Sequence, residues 1–206
     1  MLATRNSGKI RELMAIYDHL NVAFHSLADY PGVGDVAEGG ATYAENAAAK
    51  ARTVAAATGL PALADDSGVE IDALGGAPGI HSARFLGADA TDAERNARIL
   101  ALLEGVPEAQ RTARYRASVA VALPDGSVRV FDGVCEGRIA RAGRGAGGFG
   151  YDPIFVPAGE TRTMAEVPAD VKNRISHRAR ALRAAEPYVT EVLRRSAGGS
   201  GGRSAK

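Results

Sequence analysis

Hydrophobic and polar residues follow two periods along the chain, one typical of helices and one of strands. Apolar residues three to four positions apart predict amphipathic helices over residues 7–20 and 175–194. Capping boxes, in which a glutamate follows a threonine by three positions, predict two further helices over residues 42–57 and 91–104. The pattern therefore places helices at both ends and in the middle of the chain.

Short apolar runs between these helices predict strands. Residues 62–64 and 69–74 are two short candidates, and residues 154–156 form a buried-looking run. Residues 115–123 and 128–134 flank a Pro-Asp-Gly-Ser turn, which is typical of a hairpin. Strands and helices that alternate early, followed by a hairpin, predict an α/β protein on a mixed sheet, with functional residues in a crevice at strand ends.

Composition narrows the class of protein. The chain has 206 residues, of which 46% are hydrophobic and 24% charged, as in an ordinary soluble globule. We expect one domain over residues 1–195 and a disordered Gly/Ser-rich tail over residues 196–206. The net charge of +1 argues against a broad nucleic-acid or membrane surface. A single cysteine, Cys135, and the lack of a long apolar run favour a cytoplasmic protein without disulfides.

A polar loop lies between the apolar start of the chain and the first predicted helix. Asn6 or Ser7 can cap this helix, and Gly8 allows close backbone approach. The exposed N–H groups of a helix start, together with Lys9, favour a bound phosphate. The loop is not a Walker A motif, because Ile10 replaces the hydroxyl residue after the lysine. A capped surface helix is the alternative interpretation.

Two adjacent carboxylates, Asp65 and Asp66, precede Ser67 and a glycine at a predicted strand end. Neighbouring acids repel one another unless a cation or hydrogen-bond donors offset the repulsion. Mg²⁺ prefers one or two carboxylates together with phosphate oxygens, so the pair is a candidate metal site that Glu38 could also reach. The alternative is a turn in which these side chains cap local amides.

A glycine-rich stretch over residues 143–150 ends in Phe149, Gly150, Tyr151 and Asp152. It contains a G-x-G-x-x-G pattern, but a proline and an apolar run follow instead of a helix, which excludes a dinucleotide fingerprint. Phe149 or Tyr151 could instead stack on a purine. A core aromatic residue after a mobile loop is the alternative interpretation.

A basic segment over residues 172–178 contains Lys172, His177 and Arg178 near a helix start. These donors favour anions or carbonyl oxygens, and a solvated basic helix end is the alternative. No pair of the four histidines has the spacing of zinc ligands.

These segments, in this order, resemble the HAM1 family of inosine triphosphate pyrophosphatases, also called dITP/XTP or non-standard purine nucleoside triphosphate pyrophosphatases. The resemblance spans about residues 2–194. The matching stretches are residues 3–9, 45–47, 50–51, 64–68, 73–79, 82–84, 147–155 and 176–178.

The resemblance implies two lobes around a long twisted mixed sheet, with the nucleotide in the cleft between them, and usually a homodimer. It implies Mg²⁺-dependent hydrolysis of ITP, dITP and XTP to the monophosphate and pyrophosphate, which clears deaminated purines from the nucleotide pool. It also makes Asp66 the general base and a metal ligand, with Glu38 as the second ligand. The implied substrate-binding residues are Thr4, Arg5, Asn6, Ser7, Gly8, Lys9, Ser67, Phe149, Gly150, Tyr151, Asp152, Lys172, His177 and Arg178.

Two alternatives stay open at this point. The Maf-like nucleotide pyrophosphatases share the fold and reaction type but prefer other bases, and they lack the arrangement of residues 149–152. A non-catalytic nucleotide sensor or an RNA-binding module could use the basic segment over residues 138–148, although the chain has no sustained basic stripe. We expect a purine nucleoside triphosphate as the ligand, and neither polymeric nucleic acid nor a membrane as a partner.

Overall fold

A computed structural model of the protein describes residues 1–20, 22–34, 36 and 39–198. The α-helices are α1 (Ser7–Ile16), α2 (Tyr43–Thr58), α3 (Asp92–Leu102), α4 (Ala169–Ile175) and α5 (His177–Gly198). The strands are β1 (Ala62–Ile71), β2 (Thr112–Ala122), β3 (Val128–Ile139) and β4 (Phe155–Pro157). Short 3₁₀ turns cover Asp18–Leu20, Leu27–Asp29, Asp72–Leu74, Gly79–Arg84 and Glu108–Gln110.

The strands form one four-stranded sheet in the order β1-β2-β3-β4. The combination of this sheet with the helices confirms the α/β class. Each neighbouring pair of strands is antiparallel, so the prediction of a mixed sheet is wrong for this ladder. Among the described residues, parallel pairing is limited to single bridges from Leu2 to Ser26 and to Leu63. The reason is the direction of the chain: α3 returns the chain antiparallel to β1, and a tight turn joins β2 to β3.

β1 is one continuous strand of ten residues, where the sequence predicts two short strands with a turn between them. Asp65 and Asp66 lie inside its ladder and pair with Val119 and Ser118 of β2. The prediction of carboxylates at a strand end is therefore wrong. Two acids are tolerated inside the sheet because each contacts a lysine, as described below.

Helices cover both faces of the sheet. On one face, α2 packs its alanine-rich side against small residues of β1 and β2, including Ala62, Ala64 and Ala120. On the other face, α1 and α5 pack against Leu63 and Val119. A third cluster, built around the far end of β1 and β4, completes the core. The small residues beneath α2 bring this helix close to β1, which places polar groups of α2 next to Asp66.

Helix ends follow the capping signals in most places. The side chain of Asn6 caps α1 by accepting from Lys9 N, and α1 ends at Ile16 rather than at residue 20. The predicted helix over 175–194 begins earlier and is interrupted at Ser176, whose extended backbone separates α4 from α5. α5 continues to Gly198, three residues into the predicted tail, and residues 199–206 lie outside the described residues.

No helix in the described part of the chain is both long enough and apolar enough to span a bilayer.

Candidate active site

The edge of β1 forms the floor of a cleft. Residues 1–3 run beside the start of β1, where Ala3 N donates to Leu63 O at 2.8 Å. The chain then leaves the edge, and Thr4 Oγ1 accepts from Asn6 N at 3.1 Å before α1 begins at Ser7. The predicted phosphate loop therefore lies at the N-terminus of α1, next to Asp65 of β1. Lys9 Nζ is 3.0 Å from Asp65 Oδ2. Arg5 donates to Val33 O at 2.8 Å.

The neighbouring carboxylates face opposite sides of the sheet, because successive side chains of a strand alternate. Asp65 faces α1 and α5, where it contacts Lys9 and Arg178. Asp66 faces α2, where its Oδ1 lies 2.9 Å from Lys50 Nζ. The sequence suggests one metal ion bound by both carboxylates. Two carboxylates on opposite sides of the sheet do not fit such a shared ion. The two acids therefore have different partners: Lys9 and Arg178 for Asp65, and Lys50 for Asp66.

Asp66 is held by two residues of the second helix. Asn46 Nδ2 donates to Asp66 Oδ2 at 3.2 Å, while Asn46 Oδ1 accepts from Gly40 N at 2.8 Å. One amide thus links the carboxylate to the loop that precedes α2. Glu38, the other predicted metal ligand, stands two positions before Gly40 in the sequence and lies outside the described residues. Only Asp66 of the predicted ligand pair can therefore be placed.

An alternating series of charges connects the phosphate loop to the glycine-rich segment. Arg178 Nε lies 3.1 Å from Asp65 Oδ2, and Arg178 Nη1 lies 2.5 Å from Glu12 Oε2. Lys172 Nζ lies 2.7 Å from Glu12 Oε1 and 2.5 Å from Asp152 Oδ2. Three cations and three anions thus alternate without a gap. They are Lys9, Asp65, Arg178, Glu12, Lys172 and Asp152.

The pKa values in this series reflect competition between burial and pairing. Burial would raise the pKa of Asp65, but the charges of Lys9 and Arg178 outweigh it and lower that pKa. The same competition lowers the pKa of Glu12, through Arg178 and Lys172. For Asp152 burial is the stronger effect, so its pKa is raised although Lys172 offsets part of the increase. Burial is also the stronger effect at Lys9, whose pKa is lowered although Asp65 offsets part of the decrease.

Phe149 has its ring near two cations of the series. Lys172 Nζ lies 4.9 Å and Arg178 Cζ 5.4 Å from the ring centroid. The ring also abuts Gly8, since a Cβ built there would lie 2.6 Å from Phe149 Cδ1. Tyr151 is buried, and its hydroxyl donates to Ser82 O at 2.8 Å. Of the two aromatic residues predicted to stack on a base, the half-exposed Phe149 is the more accessible.

His177 lies at the start of α5 and is fully enclosed. Its ring stacks on that of Tyr115 of β2, with centroids 4.4 Å apart and planes at 5°. Burial and the adjacent Arg178 lower the pKa of His177 well below its usual value. Its Nδ1 atom has no hydrogen-bond partner among the described residues. His177 is therefore a neutral ring at physiological pH.

These groups meet in a cavity of about 280 Å³ that reaches from Asn6 and Lys9 to the base-binding candidates. Ser67 contributes its hydroxyl, which accepts from Arg178 Nη2 at 3.1 Å. The cavity brings together Asn6, Lys9, Asp66, Ser67, Phe149, Gly150, Tyr151, Asp152, Lys172, His177 and Arg178. A neighbouring depression contains Thr4, Arg5 and Lys50, and it shares Asn6 and Lys9 with the cavity. Anionic and aromatic parts of one ligand could thus bind side by side.

The donor set suits a cation that is bound mainly through its substrate. No group of three metal-ligating side chains occurs among the residues that the structure describes. Mg²⁺ usually takes one or two carboxylates together with phosphate oxygens and water, rather than a complete protein cage. Asp66 supplies one such hard oxygen ligand next to the cationic groups that would hold phosphates. The described residues therefore fit Mg²⁺ as a partner of a polyphosphate.

Several residues at the site carried no individual role in the sequence. Glu12 joins Arg178 to Lys172, but in the sequence it looks like an ordinary surface acid of an amphipathic helix. Asn46 and Lys50 are four positions apart, so they share one face of α2. This spacing was the available sequence signal that the two residues contact the same group. Tyr115 lies in an apolar run that predicts only a strand.

Comparison with known proteins identifies the relatives of this chain. A family model described as the Ham1 family matches residues 1–188. A dITP/XTP pyrophosphatase of Geobacillus kaustophilus is 47% identical over 94% of this chain and 95% of its own length. One of Geobacter sulfurreducens is 50% identical over 88% of this chain and 92% of its own length.

Solved structures agree with the sequence comparison. A HAM1 protein from Coxiella burnetii is 43% identical, with a TM-score of 0.83 over 92% of this chain and 97% of that one. A nucleoside-triphosphatase, dITP/XTP pyrophosphatase, from Mycobacterium abscessus is 40% identical, with a TM-score of 0.68 over 93% of this chain and 96% of that one. Together with the geometry of the cleft, these similarities show that the chain belongs to the Ham1 family.

Proposed function

We propose that this protein hydrolyses dITP, ITP and XTP to the nucleoside monophosphate and pyrophosphate, and so removes deaminated purines from the nucleotide pool. The observation that carries the proposal is a cavity that joins Lys9 and Asp66 to Phe149 and buried donors, with a cationic depression beside it that shares Asn6 and Lys9. A purine nucleoside triphosphate has the matching charge and shape. The names of the relatives support the same substrate class.

The protein's own groups account for the hydrolytic step. The N-terminus of α1, Lys9 and Lys50 would hold the triphosphate, since they place positive charge along one wall of the cleft. Asp66 would orient a water molecule and accept its proton for in-line attack on the α-phosphorus. The bond from the α-phosphorus to the bridging oxygen breaks, and pyrophosphate leaves. Asn46 would keep the Asp66 carboxylate oriented.

Mg²⁺ is the cofactor that we propose, with Asp66 and Glu38 as its ligands. When bound, the ion would neutralise charge on the triphosphate and its leaving group. The support for Glu38 is the resemblance to the family, and the support for Asp66 is its contact with Lys50, one of the cations of the depression.

Base selection would rest on donors facing the six-membered ring of the purine. Hypoxanthine and xanthine carry a carbonyl at C6, whereas adenine carries an amino group. Lys172 and Arg178 are donors with no acceptor capacity, so an adenine amino group would leave buried donors facing one another. Asp152 and Glu12 hold these cations in place, and Phe149 would cover the face of the base.

The deciding experiment measures pyrophosphate release with Mg²⁺ from ITP, XTP, dITP, ATP, GTP, dTTP and UTP. Asp66→Asn should remain folded, with a lower melting temperature because Lys50 loses its buried counter-charge, and should lose at least about a hundredfold in turnover when assayed well below that temperature. Asp125→Asn, an exposed aspartate in the β2–β3 turn, is the matched control and should keep full activity. Preference for a pyrimidine would assign the chain to Maf-like chemistry, and binding without turnover would indicate a sensor.

The remaining parts of the proposal concern organisation. We propose that residues 1–195 act as one domain, that two copies form a homodimer and that the protein works in the cytoplasm, where the nucleotide pool is found. These points rest on the resemblance to the family. Light scattering on the purified chain tests the dimer, and a monomer at micromolar concentration would refute it.

A further inference from the structure

Gly150 lies in the centre of the segment proposed to bind the base. Both the N–H and the C=O group of Gly150 form hydrogen bonds with side chains of α3. Gly150 N donates to Asp92 Oδ2 at 2.7 Å. Asn96 Nδ2 donates to Gly150 O at 3.0 Å. Asp92 and Asn96 are four residues apart, so their side chains emerge from the same face of the helix. The two side chains therefore orient the peptide groups on both sides of the Gly150 Cα atom.

The helix that makes this contact is itself firmly placed. Arg95 is 8% exposed, and its Nη1 contacts Asp92 Oδ1 at 3.2 Å. Its Nε donates to Phe85 O at 3.0 Å, which ties the helix to the preceding loop. A complete capping box between Thr91 and Glu94 fixes the start of α3. Asp92 and Asn96 therefore contact Gly150 from a rigid support.

The position of Gly150 determines where its neighbours point. Its φ of +63° is a left-handed conformation that lets the chain reverse between Phe149 and Tyr151. Across this turn, Phe149 N donates to Asp152 Oδ2 at 2.9 Å. The Asp152 carboxylate that accepts this bond also contacts Lys172. A tilt of the Gly150 peptide would therefore move the ring of Phe149 and the carboxylate that holds Lys172.

We propose that Asp92 and Asn96 are positioning residues for purine recognition: they hold Gly150 so that Phe149 and Asp152 present a fixed surface to the base. This inference rests on the proposed function. Both side chains bind the segment proposed to contact the base, so their effect should concern the base rather than the phosphates. Loss of the contact should weaken binding of ITP and reduce the preference for ITP over ATP.

The variants separate the contact from the helix. Asn96→Leu keeps the size of the side chain but removes the donor, and Asp92→Ala removes the acceptor. Asp92→Asn still offers an oxygen to Gly150 N and should restore most of the function lost in Asp92→Ala. Glu94→Ala is the matched control, because it removes half of the capping box at the start of α3 without touching Gly150.

The measurements are KM and kcat for ITP and ATP, inhibition by pyrophosphate, and hydrogen exchange of peptides covering residues 147–153. For Asn96→Leu and Asp92→Ala we expect KM for ITP to rise about tenfold, the value of one lost hydrogen bond. We expect faster exchange in these peptides, a smaller ratio of ITP to ATP turnover and unchanged inhibition by pyrophosphate. Glu94→Ala should lower the melting temperature without changing these quantities.

The outcomes distinguish this inference from the proposed function. A wild-type protein that hydrolyses ITP, with variants that keep KM, base preference and exchange rates, would overturn only the positioning role. Equal losses in Glu94→Ala and Asn96→Leu would also overturn it, because helix stability would then explain both. A wild-type protein that neither binds nor hydrolyses purine nucleotides would overturn both proposals.

Discussion

Asp65 is the residue whose removal should most disturb the charged series beneath the cleft. Its Oδ2 atom is shared by Lys9 Nζ at 3.0 Å and Arg178 Nε at 3.1 Å. Ser67 Oγ lies 3.5 Å from the same oxygen. In Asp65→Asn the volume is unchanged, but one neutral oxygen would replace the charge that separates two cations. Lys9 and Arg178 would then repel each other across a buried contact.

The magnitude follows from the burial of the residues. The side chains of Asp65 and Arg178 are only 7% and 4% exposed, so solvent screens the contact weakly. Breaking a buried ion pair from one side costs about 3–5 kcal/mol. For a domain of this size, that loss lowers the melting temperature by roughly 6–20 °C. The lowered pKa of Asp65 means that its contribution is present above the unfolded pKa of about 3.9, hence fully at pH 7, and is lost in acid.

Urea unfolding and calorimetry at pH 7 would measure the change. Arg195→Ala is the control: it removes an ion pair with Glu191 whose side chains are 69% and 45% exposed, and it should change the free energy of unfolding by less than about 1 kcal/mol. A cycle with Lys9→Met should give a coupling energy above about 1 kcal/mol, because the two residues touch. If Asp65→Asn costs less than about 1 kcal/mol, the buried series does not stabilise the fold as argued.

Three further predictions concern Gly8, His177 and the metal. Gly8→Ala should raise the Kd for IMP, because the new methyl group would lie 2.6 Å from Phe149 Cδ1 and push the ring aside; the gain of about 1 kcal/mol in helix propensity is offset by this overlap, so stability should not rise; calorimetric titration with IMP tests the binding, and an unchanged Kd refutes it. The pKa of His177 is lowered in the folded protein, so the unfolded chain binds more protons below pH 6.5, and the free energy of unfolding of the wild type should fall there by up to about 1.4 kcal/mol per pH unit. His177→Asn should lack this part of the pH dependence in urea titrations at pH 5.5–7.5. Equal pH dependence in the two proteins would contradict the lowered pKa. Removing Mg²⁺ with EDTA should abolish pyrophosphate release yet shift the melting temperature of the nucleotide-free protein by less than about 1 °C, because the described residues hold no three-ligand cage; a large shift would indicate a resident structural metal.

Local patterns in the sequence determined much of the secondary structure. Thr42 and Thr91 begin α2 and α3 as the capping signals predict, and Gly59 ends α2 in a left-handed conformation. The hairpin around residues 124–127 is also confirmed. Such features depend on neighbours within a few positions, which the sequence displays directly. The order of the motifs was likewise enough to indicate the family.

The interior of β1 shows where local reasoning fails. Two aspartates, a serine and a glycine in a row have low strand propensity, so the sequence predicts a turn at Asp65–Gly68. The structure continues the strand because β2 supplies a full ladder and because Lys9 and Lys50 neutralise the two acids from opposite faces. These partners lie 56 and 16 positions away along the chain, beyond any local window.

The functional division between the two acids was decided by the tertiary structure for the same reason. The sequence by itself determined which residue types were present at the site: a helix start with Lys9, a pair of acids, an aromatic turn and a basic segment. Only the fold decided that Asp65 joins the charged series while Asp66 faces α2, and that α3 grips Gly150. Strand alternation and helix packing set these contacts, and both depend on where distant parts of the chain meet.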